Sequence, residues 1–114
     1  MKDKINNDDW VWVVIQDPGG NERYLGQEEK ESGIAFIPMF KEKEDALMCM
    51  PLMTRDKNIK YEAQAVIYSD LKEQAGDSGF VLYLMDNEGR VLEKLYPKLS
   101  VSNFKNGDIQ HIFN

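Results

Sequence analysis

One run sets the terms for the whole fold. Trp10 to Gln16, "WVWVVIQ", is β-branched and aromatic with almost no polar alternation. A strand of that kind is apolar on both sides, so it needs cover on both faces and belongs inside a sheet. It stops at "DPGGN", where Pro18 and two glycines signal a turn. "ERYLGQ" then reads as the return strand of a hairpin, and the polar "EEKESG" at 28–33 as a loop. "IAFIPMF" at 34–40 is a further strand, and Pro38, which has no N–H for the ladder, suits an edge or a strand end.

From Lys41 the pattern changes. "KEKEDALMCM" has no β-branched residue and no glycine, which predicts a helix over 42–50 with its acidic residues early, at the positive end of the dipole. At about 100° per residue, Ala46, Leu47, Met50 and Met53 share one side with Cys49 at its margin, while Met48 and Leu52 project the other way. Pro51 bends or ends this helix, because its ring clashes with the preceding turn. "KYEAQAVIY" from Lys60 is another strand. Ser69 and Asp70 are both candidate N-caps for a short helix, with Leu71 and Ala75 as its apolar stripe and Gly79 as the left-handed residue after it. "FVLYLMDNEGRVLEKLY" is a β-hairpin, its turn "DNEG" placing Gly89 where a positive φ is needed.

The expected order is β-β-β-α-β-α-β-β, a single α+β domain over 1–114 with a mostly antiparallel or mixed sheet and two short helices. A parallel crossover is available to the β-α-β segment at 34–67. Residues 1–8 read as a disordered lead, and the tail at 97–114 as either a strand or a docked segment. No strand leads into a Gly-rich phosphate turn, which disfavours a doubly wound nucleotide fold.

Composition narrows the function classes. The chain has 114 residues, enough to bury roughly two-thirds of its unfolded surface without metals or disulfides. Its apolar runs fall far short of the roughly 20 residues that span a bilayer, and no apolar stretch follows the lysines of "MKDKINNDDW", so neither a membrane anchor nor a secretory signal is expected. A single cysteine fits a reducing compartment, and the cytoplasm is the expected location. The net charge of −6 opposes nucleic-acid binding, and the lysine-rich "RDKNIK" at 55–60 reads as a solvated loop.

Chemistry-bearing motifs are sparse. Four of the six methionines and the only cysteine lie between Met39 and Met53, a composition that soft copper(I) favours. Successive helical positions diverge, however, and no second cysteine stands at a two-residue spacing, so core packing is the stronger reading. His111 is the only histidine, which leaves zinc sites short of ligands and makes a Cys49–His111 nucleophilic pair dependent on the tail. "DNEG" lacks the later ligands of a calcium loop, and "GGNERYLG" lacks a phosphate-loop spacing. No catalytic residue, metal or cofactor is assigned. Trp10 and Trp12 share one face of their strand and are candidates to line an aromatic ligand pocket; core packing is the alternative. Met48 and Leu52 are candidates for an interaction surface.

The segments "IAFIPMFKEKEDALMCM" and "YEAQAVIYSDLKEQAGDSGFVLYLMDNEGRVLEKL" together resemble small uncharacterised bacterial α/β domains. Over about 33–95 the chain is similar to the amino-terminal domain of SseB-type proteins. The resemblance implies a compact α+β domain and carries over no catalytic residues. The functional expectation is a non-enzymatic interaction module that binds a protein partner or a second copy of itself through a sheet edge or the outer face of the 42–50 helix. An acidic inhibitor-like role against a basic partner is a narrower form of it. The alternative is a small-ligand sensor with an aromatic pocket near Trp10 and Trp12.

Overall fold

Strand β1, Trp10–Gln16, occupies the central position that its two apolar sides demand. The computed structural model describes residues 5–97. On one side of β1, Val11, Val13 and Ile15 enter one core; on the other, Val14 enters a second, with Trp12 packed against it. Along one edge β1 pairs over its full length, antiparallel, with the strand Tyr61–Ile67. The other edge is shared. Ile15 and Gln16 pair with the short β2, Arg23–Tyr24, while Trp12 bridges to Phe40.

The return segment "ERYLGQ" divides between two sheets. After β2 comes β3, Gln27–Glu28, which pairs with β4, Ala35–Met39, and not with β1. The crossing is made at Leu25 and Gly26. Leu25 is buried and its N–H still donates to the Val14 carbonyl at 2.8 Å. A Cβ on Gly26 would stand 2.8 Å from the Phe80 ring, so only glycine lets the chain pass that close.

Pro38 lies in an interior strand, yet β3 reaches only Ala35 and Phe36, so β4 is paired on one side there. Helix α1 covers Lys43–Cys49 and tightens into a 3₁₀ turn at Met50–Leu52, the distortion expected of Pro51. Its buried stripe is Ala46, Cys49 and Met53. The expected face is therefore rotated, with Cys49 at the centre and Leu47 46% exposed. The cause is the sheet below: the stripe that fits against Phe40, Ala63 and Tyr83 is the one with the smaller side chains.

β5 is the strand Tyr61–Ile67 already described, and it runs straight into α2, Tyr68–Ser78. Neither Ser69 nor Asp70 caps this helix; Ile67 occupies the N-cap position with no side-chain bond. The lead supplies the missing acceptors. The Tyr68 N–H donates to the Asp9 carbonyl at 2.8 Å and the Ser69 N–H to the Asn7 carbonyl at 3.0 Å. Of the lead over 1–8, Asn7 supplies one of these acceptors and Ile5 packs against the core, while residues 1–4 lie outside the described residues. At the other end Gly79 takes φ 82° and returns its N–H to the last turn, as its sequence predicts.

The hairpin closes the fold as β6, Val81–Met85, and β7, Val91–Leu95, with Gly89 at φ 84°. β4 pairs in parallel with β6, and not with β5 as the 34–67 segment suggested. β5 is committed along its whole length to β1, so the chain must pass through both helices and β5 before the parallel partner arrives. The result is a mixed α+β domain with strand orders β2-β1-β5 and β3-β4-β6-β7, met at the Trp12–Phe40 bridge. Leu71 and Ala75 of α2 pack on Val13, Ile37 and Leu82; Ala46 and Cys49 of α1 pack on the opposite side. Each fully buried aliphatic side chain in these two cores contributes about 1.5–3 kcal/mol. The tail from Lys98, and His111 with it, lies outside the described residues.

Candidate functional site

The two faces of the domain differ in what they leave uncovered. Among the described residues, no large exposed apolar side chain belongs to α2. The α1 side carries several. Met48 is 58% exposed and Leu52 64% exposed, on the outer side of the helix and its 3₁₀ extension. Leu47 flanks them. Trp10, 62% exposed, alternates in phase with Trp12, whose ring packs against the α1-side core. Val91 pairs with Met85 of that same core and is itself exposed.

A rigid turn borders this surface. The Asp86 carboxylate accepts the main-chain N–H groups of Glu88 and Arg90, each at 2.9 Å, and the Arg90 Nε–H at 2.8 Å. Those bonds, the Arg90 N–H first, hold the Asp86 carboxyl below its ordinary range. The turn leans on α1: Asn87 Nδ2 lies 3.7 Å from Met48 Sδ, and a Cβ on Gly89 would sit 3.6 Å from Leu52 Cδ1. Beyond the turn, β7 ends its sheet with its outer edge unpaired among the described residues.

The sulfur-rich segment separates on folding. Cys49 and Met53 face the core, Met50 is half-buried, and Met48 faces outward. Burial pushes the Cys49 thiol up, and the Asp86 charge adds to the effect, so the thiol is a poor nucleophile. Among the described residues, no group of three histidine, cysteine or carboxylate side chains is placed to hold a metal ion.

A groove of about 1070 Å³ opens where the β2–β3 crossing passes α2. Ile15 and Ile37 form its floor, Phe80 a wall, and Arg23, Gln64 and Gln74 its polar rim. Tyr24 also borders it, its phenol raised first by burial and then by the Asp70 charge. Neither Trp10 nor Trp12 lines this groove. Trp12 is half-buried with the Lys43 ammonium 5.6 Å from its ring centre, and Trp10 stands in the open. The groove was invisible in the sequence, because its residues come from six separate segments. Leu47 had a signal: a helix seated on its small residues leaves the neighbouring leucine outside.

Comparisons with protein-family models, with curated proteins and with solved structures find no match for this chain. No helix among the described residues is long and apolar enough to cross a membrane.

Proposed function

We propose that this protein is a cytoplasmic, non-enzymatic interaction module that docks a protein partner through the face carrying α1. One observation carries the reading: Trp10, Met48 and Leu52 on the α1 side are each more than half exposed, Leu92 and Tyr96 on and just after the β7 edge strand are exposed to the same degree, and α2 presents no large exposed apolar side chain. Single exposed apolar residues are ordinary, but a one-sided collection beside an open sheet edge is what contact surfaces need. The acidic chain, at net charge −6, favours basic partners with salt-sensitive association. The test compares the wild-type chain with a Met48→Ser/Leu52→Ser variant as baits in lysate. Both side chains are exposed, so the variant keeps its fold and loses the captured partner. An identical captured set would remove the α1 face from the proposal.

The groove supports a second reading, a small-ligand sensor. Its volume is that of known ligand sites, and it combines an apolar floor with a few polar groups. A ligand seated there raises the melting temperature without quenching tryptophan. Quenching would instead move the site to Trp10 and Trp12.

A further inference from the structure

We infer that the ligand of the groove beside α2 is a short, uncharged peptide in extended form, held by pairing its main chain with the open edge of β2 at Tyr24. The inference rests on the sensor reading of the groove and names its ligand class. Residues 22–28 border the groove without a gap. Successive residues of a strand point to opposite faces, so such a run cannot reach one groove by side chains alone. The main chain itself is part of the wall.

The strand registers show which main-chain groups are open. Gln16 pairs with Arg23, and the Leu25 N–H donates to the Val14 carbonyl at 2.8 Å. In an antiparallel ladder, residues whose main chain faces the partner alternate with residues whose main chain faces away. Arg23 and Leu25 therefore face β1, and Tyr24 between them turns its N–H and C=O outward. On β3, Gln27 pairs with Phe36 and the Glu29 N–H donates to the Ile34 carbonyl at 2.9 Å, so Glu28 turns its main chain away from β4. These outward groups of Tyr24 and Glu28 have no partner among the described residues.

The side chains add more of the same chemistry. The Gln16 and Gln74 amides line the groove and hydrogen-bond to no other described residue. Glu22 and Glu28 are balanced there by Arg23 and Lys30, so the lining favours neither an anion nor a cation. What remains open is amide donors and acceptors over an apolar floor, and an extended peptide complements both. One of its residues takes the Tyr24 N–H and C=O, and the residue beside it turns its own pair the opposite way, toward the β3 edge. Tyr24 is the register partner of Ile15, so the peptide side chain opposite Tyr24 lies on the Ile15 face, over the Ile15 and Ile37 floor. That side chain is apolar.

The probe is a pool of capped pentapeptides, acetyl-Ala-Gln-X-Gln-Ala-amide, with Leu, Ile, Val or Phe at X. Amide NMR of the isotope-labelled full chain is the readout. The pool moves the Tyr24 and Glu28 amide signals with a Kd of about 1 mM or tighter. Methylating the X nitrogen removes a donor and weakens binding roughly ten-fold. Tyr24→Pro loses the outward N–H and leaves the β1 ladder its bonds, so it binds roughly ten-fold more weakly than Tyr24→Ala, which loses the same phenol but keeps that N–H. Thermal melts confirm that both variants are folded. Silence of both signals to about 10 mM peptide, full binding by the methylated pool, or equal binding by the two variants would overturn the inference. Uracil and phenol serve as non-peptide probes, one with an amide edge and one without. Groove signals that answer either of these but not the pool would overturn the peptide and leave the sensor reading; silence to all three would overturn both.

Discussion

Trp12 and Phe40 exchange both of their main-chain hydrogen bonds, Trp12 N–H to Phe40 O at 2.7 Å and Phe40 N–H to Trp12 O at 2.8 Å. This bridge joins the two sheets. The Phe40 ring is fully buried in the core beneath α1, so one residue both links the sheets and fills the layer between sheet and helix. Phe40→Ala is expected to cost about 3–5 kcal/mol. Because strands of both sheets enter each core, urea should still unfold the variant in one transition. Two resolved transitions would mean that the sheets are independent units.

Tyr83 offers a second test. Its ring stacks on Phe36 with centroids 4.2 Å apart, and its hydroxyl is buried with no partner at hydrogen-bond geometry. Burial pushes the phenol up, and the nearby Glu29 carboxylate pushes it further. A buried hydroxyl without a partner costs stability, so Tyr83→Phe should leave the fold unchanged or raise its stability by about 1 kcal/mol. A loss of that size would instead show that the hydroxyl donates to Glu29 in solution.

Acid sensitivity follows from two carboxylates. Glu29 is held below its ordinary value of 4.5, first by the Ser32 hydroxyl, which donates at 2.6 Å, with Lys94 contributing at 3.4 Å. Asp86 is held below its ordinary value of 3.8 by the bonds that build its turn. A carboxyl whose folded pKa is depressed stabilises the fold fully above its unfolded value and loses that contribution as pH falls through the folded one. Stability should therefore be flat from pH 7 to about 5 and decline below about 4.5. Chemical denaturation across that range checks it, and Glu29→Gln together with Asp86→Asn should flatten the decline. An unchanged acid slope in the double variant would assign the loss to other groups.

The sequence announced what local chemistry controls. The uniformly apolar Trp10–Gln16 run implied cover on both faces, and helices lie on both. Gly79 and Gly89 take positive φ, and Pro51 tightens its helix into a 3₁₀ turn. What stayed hidden depends on distant partners. The split of "ERYLGQ" hangs on Gly26 meeting Phe80, far along the chain. The start of α2 is set by the carbonyls of Asn7 and Asp9, which compete successfully with Ser69 and Asp70 as caps. The candidate surface was half legible. Met48 and Leu52 follow from helical phase, whereas Leu47 and Val91 join them only once the sheet has chosen which helical stripe to bury.

Cys49 reports on that choice. It is 1% exposed at the centre of the buried stripe, its thiol is pushed up by burial, and only a thiolate attacks thiol reagents rapidly. The native protein should therefore resist alkylation and react fully in denaturant, with the native rate tracking the opening of the α1 layer. Cys49→Ser would place a hydroxyl among Phe40, Ala46 and Met53, at a cost of about 1–3 kcal/mol. Rapid labelling of the native chain, with the global fold intact, would show α1 lifting from the sheet. That helix would then be a mobile cover, and the Met48 and Leu52 side chains it carries would lose the fixed geometry that a docked partner requires.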